Sequence, residues 1–198
     1  MPYRNGTYIA FDGQGTADPT ESDLKYLGIL RSWNKSKNYI LNYHDSHLKT
    51  YKVLDSSSRK TLEARLMERM RNSKNMLIIL SEDTNYDRGM LNFEIEKAVD
   101  VYKLPLIIAY TDCDYLLNAR NYSNRWPKAL KERIANGTAK AIHIAFKEKA
   151  IMAAISQFSV HSQGDDKLET SFCVYSEDTY INWGYLEKSK YSYKGITE

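Results

Sequence analysis

The chain has 198 residues, with 28 Lys and Arg against 25 Asp and Glu for a net charge of +3, long enough for one substantial core and an appendage but short for two full domains. The two signs are interspersed, which argues against a nucleic-acid partner, because backbone binders gather positive charge on one face. Cys113 and Cys173 lack CxxC spacing, and the chain has neither an apolar signal core nor an apolar run of spanning length, so the expectation is a reduced, soluble cytoplasmic protein with no membrane partner.

In chain order, Thr7 to Phe11 is a short apolar run that reads as a strand delivering its C-terminal end into the loop Asp12-Gly-Gln-Gly15. Leu24, Leu27, Ile29, Leu30 and Trp33 recur at helical spacing, with Thr20 or Ser22 as the cap. Tyr39 to Tyr43 is the second strand candidate and runs into His44-Asp45-Ser46-His47. Ser58 to Arg71 is a charged amphipathic helix feeding Met76 to Leu80, the strongest central-strand run of the first half.

After Ser81-Glu-Asp-Thr84 comes a helix in which Leu91, Ile95, Ala98 and Tyr102 form the apolar stripe while Glu96, Lys97 and Asp100 face water. Glu94 falls between these faces, one turn from both Leu91 and Ala98. That position fits a carboxylate at a cleft margin, tuned by partial desolvation, and equally an ordinary boundary glutamate in solvent. Lysine and proline close this helix before the buried strand Leu106 to Tyr110. A helix then runs from Trp126-Pro127 to a stop at Asn136-Gly137, followed by a strand at Ala141 to Ala145 and a helix at Glu148 to Phe158.

Strands and helices alternate throughout, which predicts an α/β domain with a parallel sheet covered on both faces. This domain spans residues 5–158. Residues 159–198 form a C-terminal extension: His161 to Lys167 reads as a linker or exposed loop, Phe172 to Tyr175 as a short strand or a segment packed back on the domain, and the tail from Trp183 is tyrosine-rich and charged. The 16 tyrosines suit stacking surfaces or a wet interface, and equally half-buried strands and helix edges.

The motifs exclude more than they establish. Gly13-Gln-Gly15 lacks the third glycine of a dinucleotide fingerprint, and no lysine follows a glycine-rich loop as nucleoside-triphosphate binding requires. His44, Asp45 and His47 resemble a metal cluster, but histidines at this spacing need a third ligand that the sequence does not identify, so a polar strand-end loop is preferred and no metal is expected. Open parallel sheets bind ligands beyond the C-terminal ends of their strands. Phe11, Asp12, His44, Asp45, Ser81 and Tyr110 are therefore the pocket-edge candidates, although Phe11 and Tyr110 also suit the plain role of ending a hydrophobic strand.

Three segments carry a resemblance: Tyr8-Ile-Ala-Phe-Asp12, Asn75-Met-Leu-Ile-Ile-Leu-Ser81, and Asn92-Phe-Glu-Ile-Glu-Lys-Ala98 before Leu104-Pro-Leu-Ile-Ile108. Together they resemble the Toll/interleukin-1 receptor (TIR) domain family, in particular the bacterial TIR-like group of the Thoeris anti-phage system. The resemblance covers about residues 5–158 and implies a flavodoxin-like fold with a central five-stranded parallel sheet. It also implies cleavage of NAD, as substrate and not as cofactor, at the nicotinamide N-glycosidic bond. The glutamate followed by isoleucine after the serine-ended strand is the catalytic residue of NAD-cleaving members and maps to Glu94. A tryptophan often precedes that glutamate in the family, and here Gly89-Met90-Leu91 stands in its place.

By the same resemblance the product is an ADP-ribose-derived signal, cyclic in some relatives, made by a homo-oligomer that responds to a phage-derived trigger and activates a separate effector. Two other classes remain open: a non-catalytic TIR scaffold that signals by homotypic contact, and a nucleoside deoxyribosyltransferase-like enzyme whose carboxylate attacks a deoxynucleoside.

Overall fold

The apolar runs Thr7 to Phe11, Met76 to Leu80, Leu106 to Tyr110 and Ala141 to Ala145 form strands buried on both faces, because the amphipathic segments between them fold into helices that cover the sheet. A computed structural model describes residues 4–12, 23–35, 43–45, 59–82, 84 and 90–188. The strands are β1 (Gly6–Ala10), β2 (Tyr43–Asp45), β3 (Ser73–Leu80), β4 (Leu106–Tyr110), β5 (Ala141–Ala145) and β6 (Cys173–Val174). The helices are α1 (Leu24–Lys35), α2 (Arg59–Arg71), α3 (Leu91–Asp100), α4 (Lys128–Ala135), α5 (Glu148–Gln157) and α6 (Glu177–Trp183).

All strand pairs are parallel and the sheet order is β2-β1-β3-β4-β5-β6. The expected five-stranded sheet is present, with the order of the flavodoxin-like doubly wound folds. The two-residue β6, from beyond residue 158, extends it at the β5 edge.

Alternation along the strands divides the core in two. Tyr8, Ala10, Met76, Ile78, Leu80, Ile108 and Tyr110 pack with Leu66 and Met70 of α2, Leu91 and Ile95 of α3, and Leu130 and Ile134 of α4. On the other face Ile9, Phe11, Leu77, Ile79, Ile107 and Ile144 pack with Leu27 and Leu30 of α1 and with Ile151 and Ile155 of α5. The chain leaves β1 on the α1 face and reaches β3 by way of α2 on the opposite face. Between β1 and β3 the winding therefore reverses, the place in doubly wound sheets beyond whose strand ends ligands are held.

Several boundaries differ from the sequence reading. β1 ends at Ala10, although Phe11 is still buried. The described part of the second strand is Tyr43–Asp45; of the expected Tyr39 to Tyr43 only Tyr43 is described, and residues 39–42 lie outside the described residues, as do Thr20, Ser22, the Gly13-Gln-Gly15 loop and His47.

β3 begins at Ser73, three residues before the apolar run, because two polar residues there serve structural bonds. Ser73 Oγ donates to the Arg69 carbonyl at 2.9 Å. Asn75 Nδ2 donates to the carbonyls of Ile155 at 3.1 Å and Phe158 at 2.6 Å, pinning the end of α5. An apolar-pattern search cannot see such residues.

The helix stops behave as their residues dictate. After α3, Lys103 takes the left-handed φ of 53° just before Pro105, and the Leu104 amide returns to the Ala98 carbonyl at 2.9 Å. After α4, Gly137 takes φ of 72°. At the start of α4 the Ala129 amide, one of the donors with no intrahelical partner, is satisfied by Asn92 Oδ1 of α3 at 2.8 Å.

The extension packs back on the domain. The Ala141 amide donates to the Thr170 carbonyl, and Ser171 Oγ donates to the Ala139 carbonyl at 2.5 Å. α6 opens on Ser176, whose side chain accepts from the Thr179 amide, and closes on Gly184 at φ 80°. Its Tyr180 is fully buried, and its hydroxyl accepts from the Ala145 amide at 3.3 Å. Tyr175, Tyr180 and Tyr185 cluster around Trp183 with ring centroids 4.9 to 6.5 Å away. Of these, Tyr180 belongs to the buried core, Tyr175 packs half-buried against it, and Tyr185 is half-buried at its margin.

Candidate functional site

α3 places Glu94 in its first turn, with the amide bonded to the Met90 carbonyl at 2.9 Å. The side chain is 2% exposed. The reading of Glu94 as a residue between the buried and wet faces is therefore corrected: the α3 stripe is wider than a strict 3.6-residue repeat suggests, and includes Leu91, Glu94, Ile95, Ala98 and Val99. A carboxylate survives there because the Tyr8 hydroxyl, reaching from β1, donates a hydrogen bond to Glu94 Oε1. Burial pushes the Glu94 carboxyl up to about 7, opposed first by the Tyr8 hydrogen bond and then by the Arg69 guanidinium of α2. A buried acid poised near neutrality is the kind of group that catalytic sites hold.

A second polar centre lies just beyond the C-terminal ends of β1 and β3. Ser81 Oγ donates to Asp23 Oδ2 at 3.2 Å, and the Ser81 amide donates to Thr84 Oγ1 at 2.7 Å. Asp23, Asp12, Ser81 and Thr84 are all buried. Desolvation raises the Asp23 carboxyl to about 6; the Ser81 hydrogen bond opposes this and the nearby Asp12 charge adds to it. The structure thus brings Asp12 and Ser81 together at the reversal point, and adds Asp23 and Thr84. Tyr8 on β1 pairs with Met76 in mid-sheet, so Glu94 and this second centre occupy different levels along the same two strands.

Phe11 turns to the α1 face with Leu27 and Leu30, opposite the face that carries Glu94. His44 and Asp45 lie in β2, in register with Tyr8 and Ile9. Tyr110 belongs to a separate network. Trp126 Nε1 donates to its hydroxyl at 2.7 Å, and that hydroxyl lies 2.8 Å from His143 Nδ1. His143 Nε2 must donate to the Ser171 carbonyl, 2.9 Å away, which leaves Nδ1 to accept from Tyr110. Burial lowers His143 to about 4, so the imidazole is neutral, as this arrangement requires.

Among the described residues, no group of three or more His, Cys, Asp or Glu converges as a metal site, and no helix is long and apolar enough to cross a membrane. An open groove beside α4 is lined by Arg120, Trp126, Lys131, Ile134 and Phe172, among others, and by none of the sequence-predicted site residues.

Tyr8, Arg69, Asp23 and Thr84 were missed by sequence reasoning. Asp23 carried a signal, since Asp directly before a helical run is a start marker. Tyr8 carried none, because a strand tyrosine facing a helix carboxylate 86 residues away is a tertiary fact.

The family model for the Thoeris protein ThsB, TIR-like domain, matches residues 8–116. That span contains both polar centres, the reversal of winding between β1 and β3, and every candidate site residue from Phe11 to Tyr110. The chain belongs to the Thoeris ThsB TIR-like domain family.

Proposed function

We propose that the protein is an infection-responsive TIR enzyme of anti-phage defence that cleaves NAD at the nicotinamide N-glycosidic bond and releases an ADP-ribose-derived signal, cyclic or linear, for a separate effector. The observation that carries this reading is Glu94, a buried carboxylate raised to about 7 on the helix after the serine-ended strand of a ThsB-family domain. Ionised, it stabilises the oxocarbenium-like charge that develops on the ribose as neutral nicotinamide leaves. Asp12 and Ser81, with Asp23 behind them, supply polar contacts for hydroxyl or phosphate groups at the strand ends. Phe11 and Tyr110 support the strand ends on opposite sides of the site, and His44 and Asp45 border it from β2.

At 2% exposure Glu94 meets a ribose only after the groups covering it move. That closure suits an enzyme held idle until a phage-derived trigger or self-association opens it. The same closure also favours a second reading, a non-catalytic scaffold that signals through homotypic contacts.

Mass spectrometry of products decides between them: wild type and Glu94→Gln are incubated with NAD and infected-cell extract, with deoxynucleosides as a parallel substrate. Wild type releases nicotinamide and an ADP-ribose-derived product, and E94Q does not. Product formation retained in E94Q rejects Glu94 as the essential group. Cleavage of deoxynucleosides without action on NAD moves the assignment to a deoxyribosyltransferase-like enzyme, and absence of any product with the trigger present supports the scaffold.

A further inference from the structure

Resting on the reading of Glu94 as the catalytic carboxylate, the geometry points to Tyr8 as its positioning residue: the buried Tyr8 hydroxyl holds Glu94 Oε1 by a hydrogen bond across the β1–α3 interface and favours the charged form that the reaction uses. Tyr8 is fully buried in the sheet, between Thr7 and Ile9 of a strand whose five residues are all buried. Its ring is therefore fixed by packing, and a hydroxyl on a fixed ring is a donor of fixed direction. The phenol gives up one hydrogen bond to water on folding and regains one to the carboxylate, where a charged acceptor makes the bond stronger than a neutral one. Tyr8 engages one carboxylate oxygen, and its effect reaches the substrate through Glu94.

Among the described residues, the charged and titratable groups that face Glu94 are the Tyr8 hydroxyl from β1 and the Arg69 guanidinium from α2. Both favour the carboxylate, against a burial that disfavours it. Of the two, the hydrogen bond from Tyr8 has the larger effect. Among the described residues, removing it leaves burial opposed by Arg69, so Glu94 ionises at higher pH and its orientation loosens.

The test pairs a direct titration with an activity profile. Full-length protein labelled with carbon-13 at the glutamate carboxyls is titrated by NMR, and E94Q identifies the Glu94 resonance. Tyr8→Phe keeps the ring and deletes only the donor, and 3-fluorotyrosine placed at position 8 strengthens the donor. Glu94 is expected to titrate near neutrality in the wild type, roughly one unit higher in Y8F, and lower with fluorotyrosine.

The acid limb of NAD cleavage should move with the titration. In Y8F, kcat at pH 7 should be about five-fold lower and recover by pH 9, with KM little changed. An unmoved or lowered Glu94 midpoint in Y8F overturns the inference, as does a shifted midpoint with an unshifted activity limb. Activity retained in E94Q is a different failure: it removes the catalytic reading of Glu94 on which the positioning role rests.

Discussion

At the scale of single residues, Glu94 is where chemistry and stability pull apart. Its carboxyl rises from the ordinary 4.5 to about 7 on folding, so the folded state holds the proton more tightly than the unfolded chain. No penalty exists below about 4.5, where both states are protonated. The penalty grows as pH rises and is complete above about 7, at about 3 kcal/mol. Glutamine in its place cannot ionise but buries an amide without an assigned acceptor, which costs about 1–3 kcal/mol at any pH. Glu94→Gln is therefore expected to lower stability at pH 5 and to be near neutral at pH 8; melts at both values check this, and an equal difference at both would contradict it. Activity should fall at least about 100-fold, because the lost interaction belongs to the transition state. Ile95, the adjacent residue, is fully buried and has no polar role. Ile95→Ala should cost roughly 2–5 kcal/mol in denaturant unfolding with turnover per folded molecule unchanged.

At the scale of elements, two residues within the family-like motifs explain how helices are seated. Asn75 bridges β3 to the end of α5 by two hydrogen bonds from one amide nitrogen. Asn75→Leu removes both and leaves two buried carbonyls unpaired, so it should destabilise the protein by about 1–3 kcal/mol or more and speed hydrogen exchange in α5 before α3. Uniform loss of protection across all helices would show that α5 is not seated independently. Asn92 does similar work by capping α4 from α3, helped by the ion pair of Arg133 with Asp100. These two helices frame the strand-end region on one side, so loss of the Asn92 cap is expected to raise KM through looser packing while the Glu94 titration stays in place.

At the scale of the whole molecule, the segment after residue 158 is woven into the sheet by β6, the Ser171 carbonyl and Tyr180. Truncation at residue 158 would expose His143, strip the Tyr110–His143 network of its terminal acceptor, and uncover the β5 edge. A large loss of thermal stability or insolubility is expected, and a truncated protein melting like the full chain would show the extension to be dispensable. The homo-oligomer that the family resemblance implies predicts that the trigger raises molar mass in light scattering together with NAD turnover. Full turnover by a monomer would count against it.

Much of the architecture was legible in the chain because strand and helix periods alternate strictly from Thr7 to Phe158, and buried parallel strands such as Met76 to Leu80 and Leu106 to Tyr110 are apolar on both faces. Glu94 was legible as a candidate from its place after the serine-ended strand, and the family resemblance supplied its chemical role. Its environment was not legible. A periodicity argument put it at the boundary of the helix, whereas the structure buries it, because the width of a buried stripe depends on how deeply a helix sits on its sheet. The Asp23–Ser81 contact, the Tyr110–His143–Ser171 chain and the Tyr8–Glu94 bond join residues 28 to 86 positions apart. Local pattern narrows which face a side chain takes along its own element; only the packing of distant elements decides how deeply it is buried and which polar group it meets there, and for Glu94 burial first, then the Tyr8 and Arg69 contacts, set the charge it carries.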